Sequence, residues 1–390
     1  MGMRKIRIQM LAHSGAGQEV YDQGLELLEK YVPGDTFFFT HTNPDVLFFI
    51  TGGSEKHAID VCAKLDKVML WSHDGNNAHA AATEVKAYLN NAEKLSNVWN
   101  IQDKQFPDKV HRFQSTLNVL NRLNDSQLGL IGRVSDWLVA SEISEKRLRE
   151  VFGIFLVPIA WDALKPYHKF EASSTFDWKF KTGDDPELKK ASQVHSLMDH
   201  TIKDNHLDAV TVECFPLVKQ HGVTACLSMA LLNDKGVPAG CEGDLTSITG
   251  MLFAKALVDE IPWMANTVKV EEERVRFAHC TIPRKMVRDY TIMSHFETGM
   301  GTAIQGELNA QEVTVFRFDN ALKRFFLTVG QVISRPKLPN ACRTQVEIEL
   351  PGEDITRLKE TPLGNHHLLL SGDHSKIINL AARWYGLKPV

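Results

Sequence analysis

The chain has 390 residues, of which 43% are hydrophobic and 24% charged, and its formal net charge at pH 7 is −4. A chain of this length predicts about two or three domains, and its acidic balance argues against a nucleic-acid partner. The apolar stretches are too short to cross a bilayer, and residues 1–11 lack the apolar core of a signal peptide. The scattered cysteines form no CxxC pair and indicate reduced thiols, so we expect a cytoplasmic protein with no membrane partner.

The first part of the chain alternates short apolar runs with amphipathic helical segments. Strands are predicted at 6–12, 45–51, 67–72, 128–132 and 153–157. Strands that alternate with helices favour a parallel, doubly wound sheet. We therefore predict an N-terminal α/β domain of the Rossmann or flavodoxin-like type over residues 1–170.

The second part of the chain changes character twice. Residues 171–185 are polar and turn-rich and indicate a crossing between domains, and a second parallel α/β domain, which carries Glu213 and Asp244, is predicted over residues 171–267. From residue 268 onward, runs of β-branched and aromatic residues separated by Gly and Pro predict an antiparallel, β-barrel-like domain that extends to residue 390. The predicted fold class is thus α/β, with two doubly wound parallel-sheet units followed by a barrel-like unit.

Two acidic side chains stand where a predicted strand ends or a helix begins. Glu213 ends an apolar run, and open α/β sheets bind ligands beyond the carboxyl ends of their strands. Asp244 lies in the sequence Cys-Glu-Gly-Asp at 241–244, at the start of a helix whose positive end favours an acid. Each acid is a candidate for metal or proton chemistry, and helix capping is the alternative interpretation for both.

Histidines are frequent in the last third of the chain. They are His279, His295, His366, His367 and His374. A single histidine is usually structural, but this number favours a ligand role for at least one of them. Carboxylates combined with imidazoles suit Mn²⁺, Co²⁺ or Mg²⁺ and leave positions for substrate oxygens. The sequence contains no HExxH spacing, which excludes the common zinc-protease arrangement.

The segment 131–137 offers a different combination of side chains. Arg133, Asp136 and Trp137 follow a predicted strand and form a mixture that often contacts sugars, although a helix cap and a core ring are the alternative. The glycines at 15 and 17 are too few for a dinucleotide fingerprint, and the sequence has no Walker A or GxSxG motif.

Three short motifs resemble the C-terminal half of the L-fucose isomerase family and its L-arabinose isomerase relatives. They are Val-Glu-Cys-Phe-Pro at 212–216, Cys-Glu-Gly-Asp at 241–244 and Gly-Asn-His-His-Leu-Leu-Leu-Ser-Gly-Asp-His at 364–374. The segment 128–138 also looks like the fucose-isomerase-like branch. The resemblance implies interconversion of an aldose and its ketose through an enediol, with a divalent metal, usually Mn²⁺.

The resemblance also implies roles for particular residues. Glu213 and Asp244 would bind the metal and move protons, and His366 would complete the metal site. His279 matches a second histidine that the arabinose branch uses. For substrate binding we expect Arg133, Asp136, Trp137, His295 and Asn365. A homo-oligomer, either a trimer, a tetramer or a hexamer, is implied as well.

Two alternatives to a neutral-sugar isomerase remain open at this point. One is related enediol chemistry on an anionic sugar, such as a sugar acid, a phosphorylated sugar or a sulfo-sugar. Arg133, Arg284 or Arg343 near the pocket would favour such a substrate. The other is a non-catalytic sugar-binding protein, which would need neither the metal nor Glu213.

Overall fold

The computed structural model describes residues 4–390, and these divide into two compact units that meet in sequence between Asn118 and Val119. The first unit is built on a five-stranded parallel sheet with the strand order β2-β1-β3-β4-β5. Its strands are β1 (Ile6–Leu11), β2 (Phe37–Phe39), β3 (Val46–Phe49), β4 (Lys67–Ser72) and β5 (Leu95–Asn100). Its helices are α1 (Gln18–Glu29), α2 (Glu55–Cys62), α3 (Ala78–Asn91) and α4 (Phe106–Leu123), the last of which ends in the second unit.

The apolar pattern of the first unit explains its layers. Every residue of β3 is buried, as expected for a central parallel strand covered on both faces. α3 buries Ala78, Ala81, Ala82, Val85 and Leu89, which recur at helical spacing and face the sheet.

The second unit contains a four-stranded parallel sheet with the order β7-β6-β8-β9. Its strands are β6 (Gln127–Ile131), β7 (Phe155–Ile159), β8 (Ala209–Val212) and β9 (Ala239–Cys241). The helices of this part are α5 (Glu145–Phe152), α6 (Ser174–Phe180), α7 (Pro186–Asp204), α8 (Phe215–His221), α9 (Cys226–Asp234) and α10 (Leu245–Val258).

The rest of the second unit is a closed antiparallel barrel. The strands are β10 (Trp263–Val270), β11 (Arg274–His279), β12 (Val287–Met293), β13 (Ala303–Leu308), β14 (Glu312–Phe318), β15 (Arg324–Ser334), β16 (Thr344–Glu349), β17 (His366–Ser371) and β18 (Lys388–Pro389). The barrel runs in the order β14-β17-β10-β11-β16-β15 and closes because β15 also pairs with β14. β12 and β13 form a separate hairpin, β18 extends β15, and the remaining helices are α11 (Gly352–Glu360) and α12 (Ser375–Trp384).

Helix α10 joins the parallel sheet to the barrel. It is apolar around most of its circumference and contacts β8 on one side and β14 and β17 on the other. A Cβ atom on Gly250 would lie 2.4 Å from Leu368 Cδ1, so the close approach of this helix to β17 requires glycine. One continuous core therefore fixes the sheet edge relative to the barrel.

These observations confirm the predicted fold class of two parallel-sheet units and a barrel. The sequence groups β6 and β7 with residues 1–170, but β6 pairs with β8 in the second sheet, and β7 pairs with β6. Within the segment 171–185, the Ser173 hydroxyl caps α6 by accepting a hydrogen bond from the Phe176 N–H, and Phe176 and Phe180 are buried. Among residues 4–390, no helix combines the length and apolar composition that a membrane span requires.

Candidate active site

A carboxylate and two imidazoles converge where the second parallel sheet meets the barrel. Glu242, His279 and His366 each offer one ligand atom, and these atoms lie within 4.8 Å of one another. Glu242 Oε1 is 3.7 Å from His366 Nε2 and 4.0 Å from His279 Nε2. Both Nε2 atoms are buried and have no hydrogen-bond partner among residues 4–390. Since buried polar atoms are normally paired, this arrangement fits a divalent cation bound between the three side chains.

Strand register explains how these residues meet. In the parallel sheet Val212 pairs with Cys241, so Glu213 and Glu242 leave adjacent strands at the same carboxyl edge. In the barrel, Asn266 of β10 pairs with Ala278 on one side and with His366 on the other. This brings the rings of His279 and His366 to a centroid separation of 5.7 Å.

The backbone of Glu242 adopts a left-handed conformation with φ of +63°, which is uncommon for a residue with a side chain. The Ser135 N–H donates to the Glu242 carbonyl at 3.0 Å, and the Gly243 N–H donates to the Val212 carbonyl at 3.1 Å. A Cβ on Gly243 would lie only 2.3 Å from the Arg133 carbonyl oxygen. The turn therefore holds Glu242 in a strained conformation of the kind that is frequent at functional sites.

Asp244 lies behind His366 and is fully buried at the start of α10. Its Oδ1 accepts hydrogen bonds from the Ser247 N–H and the Thr246 hydroxyl, and its Oδ2 accepts one from the Ser247 hydroxyl. His366 Nδ1 lies 2.8 Å from Oδ2, and an ionised carboxylate can only accept, so Nδ1 carries a proton. The Asp244 carboxylate thus orients the imidazole and directs Nε2 toward Glu242.

Charges in this cluster compensate for its burial. Burial disfavours the ionised form of Asp244, but Arg317 and His366 hold its pKa well below the usual range. Against the same burial effect, His366 lowers the pKa of Glu242 to about 2, and the two carboxylates raise the pKa of His366 to about 9. Burial and the neighbouring His366 lower the pKa of His279 to about 3. A compact acidic pair with an adjacent imidazole is suited to retain a cation.

The two histidines differ in how their second ring nitrogen is used. His366 Nδ1 faces a carboxylate, whereas His279 Nδ1 accepts the Thr281 N–H at 3.3 Å. The long Thr281 contact must open when Nε2 of His279 binds a cation, because a neutral ring carries only one proton. His366 is therefore the better prepared ligand.

Glu213 binds the loop that follows β6. Its carboxylate accepts hydrogen bonds from Arg133 Nε at 3.3 Å and from the Arg133 backbone N–H at 3.2 Å. Arg133 also pairs with Asp136 at 3.2 Å. A Cβ on Gly132 would meet Glu213 Oε2 at 2.5 Å, so the carboxylate lies directly against this loop. The strand register positions Glu213 next to Glu242, while its carboxylate is bound by Arg133 and its carbonyl accepts a hydrogen bond from Trp161 Nε1.

Trp137, Phe215 and His295 form a row of rings beside the cluster. Trp137 Nε1 donates to Glu242 Oε2 at 2.7 Å, and the Trp137 ring lies edge-on to Phe215 with centroids 4.9 Å apart. Phe215 in turn contacts the His295 ring at 5.9 Å. Half of the Trp137 surface is exposed, which leaves a ring face for a ligand.

The other predicted residues have local partners. The Asn365 side chain donates to Asn266 Oδ1 and accepts from the Thr267 N–H. His367 Nδ1 contacts the Thr267 hydroxyl at 2.9 Å, and His374 Nε2 contacts the Ser371 carbonyl at 3.0 Å. The structure thus brings together His279, His366 and Asp244, and separately Glu213, Arg133 and Asp136.

Sequence reasoning did not include Glu242 among the metal ligands. Glu242 belongs to the Cys-Glu-Gly-Asp motif, in which the resemblance favours Asp244 as the ligand. The signal that distinguishes the two acids is strand register, because Glu242 follows β9 directly as Glu213 follows β8.

No protein-family model matches the chain. Among curated proteins, it is similar to the sulfoquinovose isomerase of Alkalicoccus urumqiensis, with 25% identity over 218 residues that cover 53% of this chain and 49% of that protein. The chain is thus similar, at low identity, to curated sugar isomerases. It also matches the sulfoquinovose isomerases of Priestia aryabhattai, with 22% identity over 305 residues (70% of this chain, 66% of that protein), and of Clostridium sp. (strain MSTE9), with 21% identity over 274 residues (65% and 61%).

These relatives extend beyond the matched region, since the chain spans between 49% and 66% of their length. The predicted resemblance to sugar isomerases is supported by these low-identity matches, and assignment to the fucose-isomerase-like branch stays a prediction.

Proposed function

We propose that the chain is an aldose–ketose isomerase that acts on an anionic sugar, with a sulfo-sugar as the preferred class. The observation that carries the proposal is the convergence of Glu242, His279 and His366, with both imidazole Nε2 atoms unpartnered among residues 4–390. The similarity to sulfoquinovose isomerases supports both the reaction type and the sulfonated substrate.

In this proposal Glu242, His279 and His366 hold a divalent cation, for which Mn²⁺ is the first candidate. A cation in that place would supply Lewis-acid stabilisation of the negative charge that develops on adjacent sugar oxygens. The chain provides the matching support. Asp244 fixes the His366 ring, Trp137 fixes the Glu242 carboxylate, and the left-handed turn at 242 aims that carboxylate toward the two rings.

Proton transfer between C1 and C2 of the sugar requires a second carboxylate, and Glu213 is the residue that we assign to it. It leaves the strand next to Glu242, and Arg133 holds both of its oxygens. As an ionised carboxylate it would remove the proton next to the carbonyl group and return it to the neighbouring carbon. The enediol resemblance and the half-buried position of Glu213 support this role.

The decisive experiment incubates the purified protein with Mn²⁺ in D₂O and follows sulfoquinovose and glucose by NMR. We expect conversion of the sulfonated aldose to its ketose, with deuterium at C1 or C2, and loss of conversion when EDTA replaces Mn²⁺. Conversion of neither sugar, with folded and metal-loaded protein, would contradict the proposal. Binding without conversion would favour the non-catalytic sugar-binding alternative.

A further inference from the structure

The arginines around the candidate site differ in how their charge is compensated. Arg133 pairs with Glu213 and Asp136, and the buried Arg317 lies 3.6 Å from Asp244. Arg343 makes no ion pair with any carboxylate of residues 4–390. A half-buried guanidinium without a counterion is uncommon, because burial costs free energy that a paired anion normally offsets.

Arg343 is nonetheless held firmly. Its Nε donates to the Ser294 carbonyl at 2.8 Å, its Nη2 donates to the Ser294 hydroxyl at 3.3 Å, and its guanidinium lies 5.8 Å from the centroid of the Phe296 ring. These bonds use two of the five N–H donors of arginine. Both N–H groups of Nη1 and one of Nη2 remain, which is the edge that binds two oxygens of one anion at once.

Arg343 also lies beside the candidate site. His279 of β11 pairs with Thr344, the first residue of β16, and Arg343 immediately precedes Thr344 in the chain. Ser294, which anchors Arg343, precedes His295 in the chain. The His295 ring contacts Phe215, Phe215 contacts Trp137, and Trp137 donates a hydrogen bond to Glu242. Burial lowers the pKa of His295, while Glu242 raises it and Arg343 lowers it further, so both charges act on one ring.

The other arginines suggested by the sequence fit an anion less well. Two carboxylates already neutralise Arg133. The Arg284 guanidinium lies 5.0 Å from the centroid of the Phe180 ring and 5.1 Å from that of Tyr290. Its charged neighbours are Asp234 and Lys285, and none of its contacts within residues 4–390 involves Glu242, His279 or His366. Among these three arginines, Arg343 is the one that combines a free donor edge with a place next to the strand partner of His279.

We propose that Arg343, anchored by Ser294 and Phe296, binds the sulfonate of the sugar substrate and determines the preference for anionic over neutral aldoses. The inference rests on the proposed function, which it makes more specific. In sulfoquinovose the sulfonate stands at the opposite end of the carbon chain from the reacting carbonyl. The reacting end would lie at Glu242, His279 and His366, and the row of rings from Trp137 to His295 would line the distance between the two ends.

The test compares Arg343→Gln with the wild type on sulfoquinovose and on glucose, both with Mn²⁺. We expect kcat/KM for sulfoquinovose to fall by ~10–100-fold, mainly through KM, because one charge-assisted contact is lost. The rate on glucose should change by less than about twofold, as the sulfonate contact does not exist there. Arg343→Lys should recover only part of the loss, since an ammonium group lacks the fork of a guanidinium.

Arg284→Gln is the matched control, because it removes an arginine of the same charge that also lies near a phenylalanine ring. It should leave the sulfoquinovose-to-glucose ratio of kcat/KM unchanged. Equal losses on both sugars for Arg343→Gln would overturn the inference and indicate a structural role. An unchanged ratio would overturn the inference as well, while the proposed isomerase would stand. A wild type that does not prefer the sulfonated sugar would overturn both the inference and the proposed preference for an anionic sugar, but not the isomerisation itself.

A binding measurement separates the inference from the reaction. Calorimetric titration of the wild type should show tighter binding of sulfoquinovose than of glucose, and Arg343→Gln should remove the difference. That result would support the sulfonate subsite even if neither sugar were isomerised. If the variant kept the difference, the sulfonate would be bound elsewhere, and the proposal would be wrong.

Discussion

At the scale of single residues, Glu213 and Glu242 offer a test that separates metal binding from proton transfer. The two glutamates follow adjacent strands, but only Glu242 faces both histidines. We expect Glu242→Gln, which removes a proposed ligand, to weaken Mn²⁺ binding by more than ~100-fold. Loss of a residue that merely orients a ligand already costs up to about that factor. Glu213→Gln should keep the metal and lower kcat by ~10²–10⁴-fold, because it removes the proposed base.

Calorimetry with Mn²⁺ and initial rates with sulfoquinovose measure the two effects on the same preparations. If Glu213→Gln also lost the metal, the sequence-based prediction that Glu213 is a ligand would be favoured over the role proposed above. If Glu242→Gln bound Mn²⁺ as the wild type does, the proposed metal centre would be wrong.

The same residues show what sequence can reveal about a site. His279 and His366 are recognisable from histidine frequency and motif likeness, because imidazoles beside glycines are informative in themselves. The choice between Glu242 and Asp244 depends on where β9 ends and on the φ of +63° at Glu242. A positive φ can be anticipated from sequence at a glycine, but not at a glutamate. Asp244 matches the motif, but both of its carboxylate oxygens are already occupied by hydrogen bonds with Thr246, Ser247 and His366.

At the scale of elements, the turn between β9 and α10 decides where Glu242 points. Gly243 has φ of +69° and no room for a Cβ, whereas Gly299 has φ of +67° with nothing within 4 Å of that position. Gly299→Ala should therefore cost only the backbone strain, about 1–2 kcal/mol. Gly243→Ala should cost more, since the clash with the Arg133 carbonyl forces the turn to move, and it should also weaken Mn²⁺ binding.

Urea unfolding and Mn²⁺ titration of both variants provide the measurement. The two glycines have nearly the same φ, so backbone strain cancels in the comparison. Equal losses of stability, with unchanged Mn²⁺ affinity in both, would show that the close packing of this turn does not position Glu242.

A second element-scale prediction concerns the contact between α7 and α9. His195 is buried, and its Nδ1 lies 3.0 Å from the Ser228 hydroxyl while its Nε2 lies 3.2 Å from Lys235 Nζ. Burial, with the nearby Lys235 charge, lowers its pKa from 6.5 to about 4. The unfolded chain thus binds a proton more readily, so stability is complete above pH 6.5 and declines as pH falls toward 4.

This single group should contribute a loss of about 2 kcal/mol between pH 8 and pH 5. Urea unfolding of the wild type and of His195→Gln at both pH values isolates the contribution, because the other titrating groups are common to both proteins. A variant with the same pH dependence as the wild type would contradict the assignment.

Element prediction from sequence worked best where one pattern dominated. The limits of β4 coincide with the predicted strand 67–72, since a continuous apolar run bounded by turn residues is unambiguous. β2 has three residues, of which two are exposed, and gives no comparable signal. The pairing of β6 with β8 depends on long-range register, which periodicity does not encode.

At the scale of the whole molecule, the predicted homo-oligomer stays a prediction. Trp137 and Val139, with exposed fractions of 51% and 87%, lie on the loop that contacts Glu242. A second copy of the chain that covered this loop would bury apolar surface next to the site. Light scattering coupled to size-exclusion chromatography should report a trimer, tetramer or hexamer. A stable monomer at micromolar concentration would contradict the predicted homo-oligomer.

Cation binding should stabilise the second unit in particular. Glu242 follows the parallel sheet, while His279 and His366 belong to barrel strands, so a shared ion would link two parts of one core. Mn²⁺ at about 100 times its Kd should add about 2.7 kcal/mol to the stability of the folded state. Hydrogen–deuterium exchange should slow near residues 135–141, 241–247, 279–281 and 365–367, with no change in the first sheet. Protection spread evenly over β1 to β5 would contradict a site confined to residues 119–390, and Glu242→Gln should abolish the effect altogether.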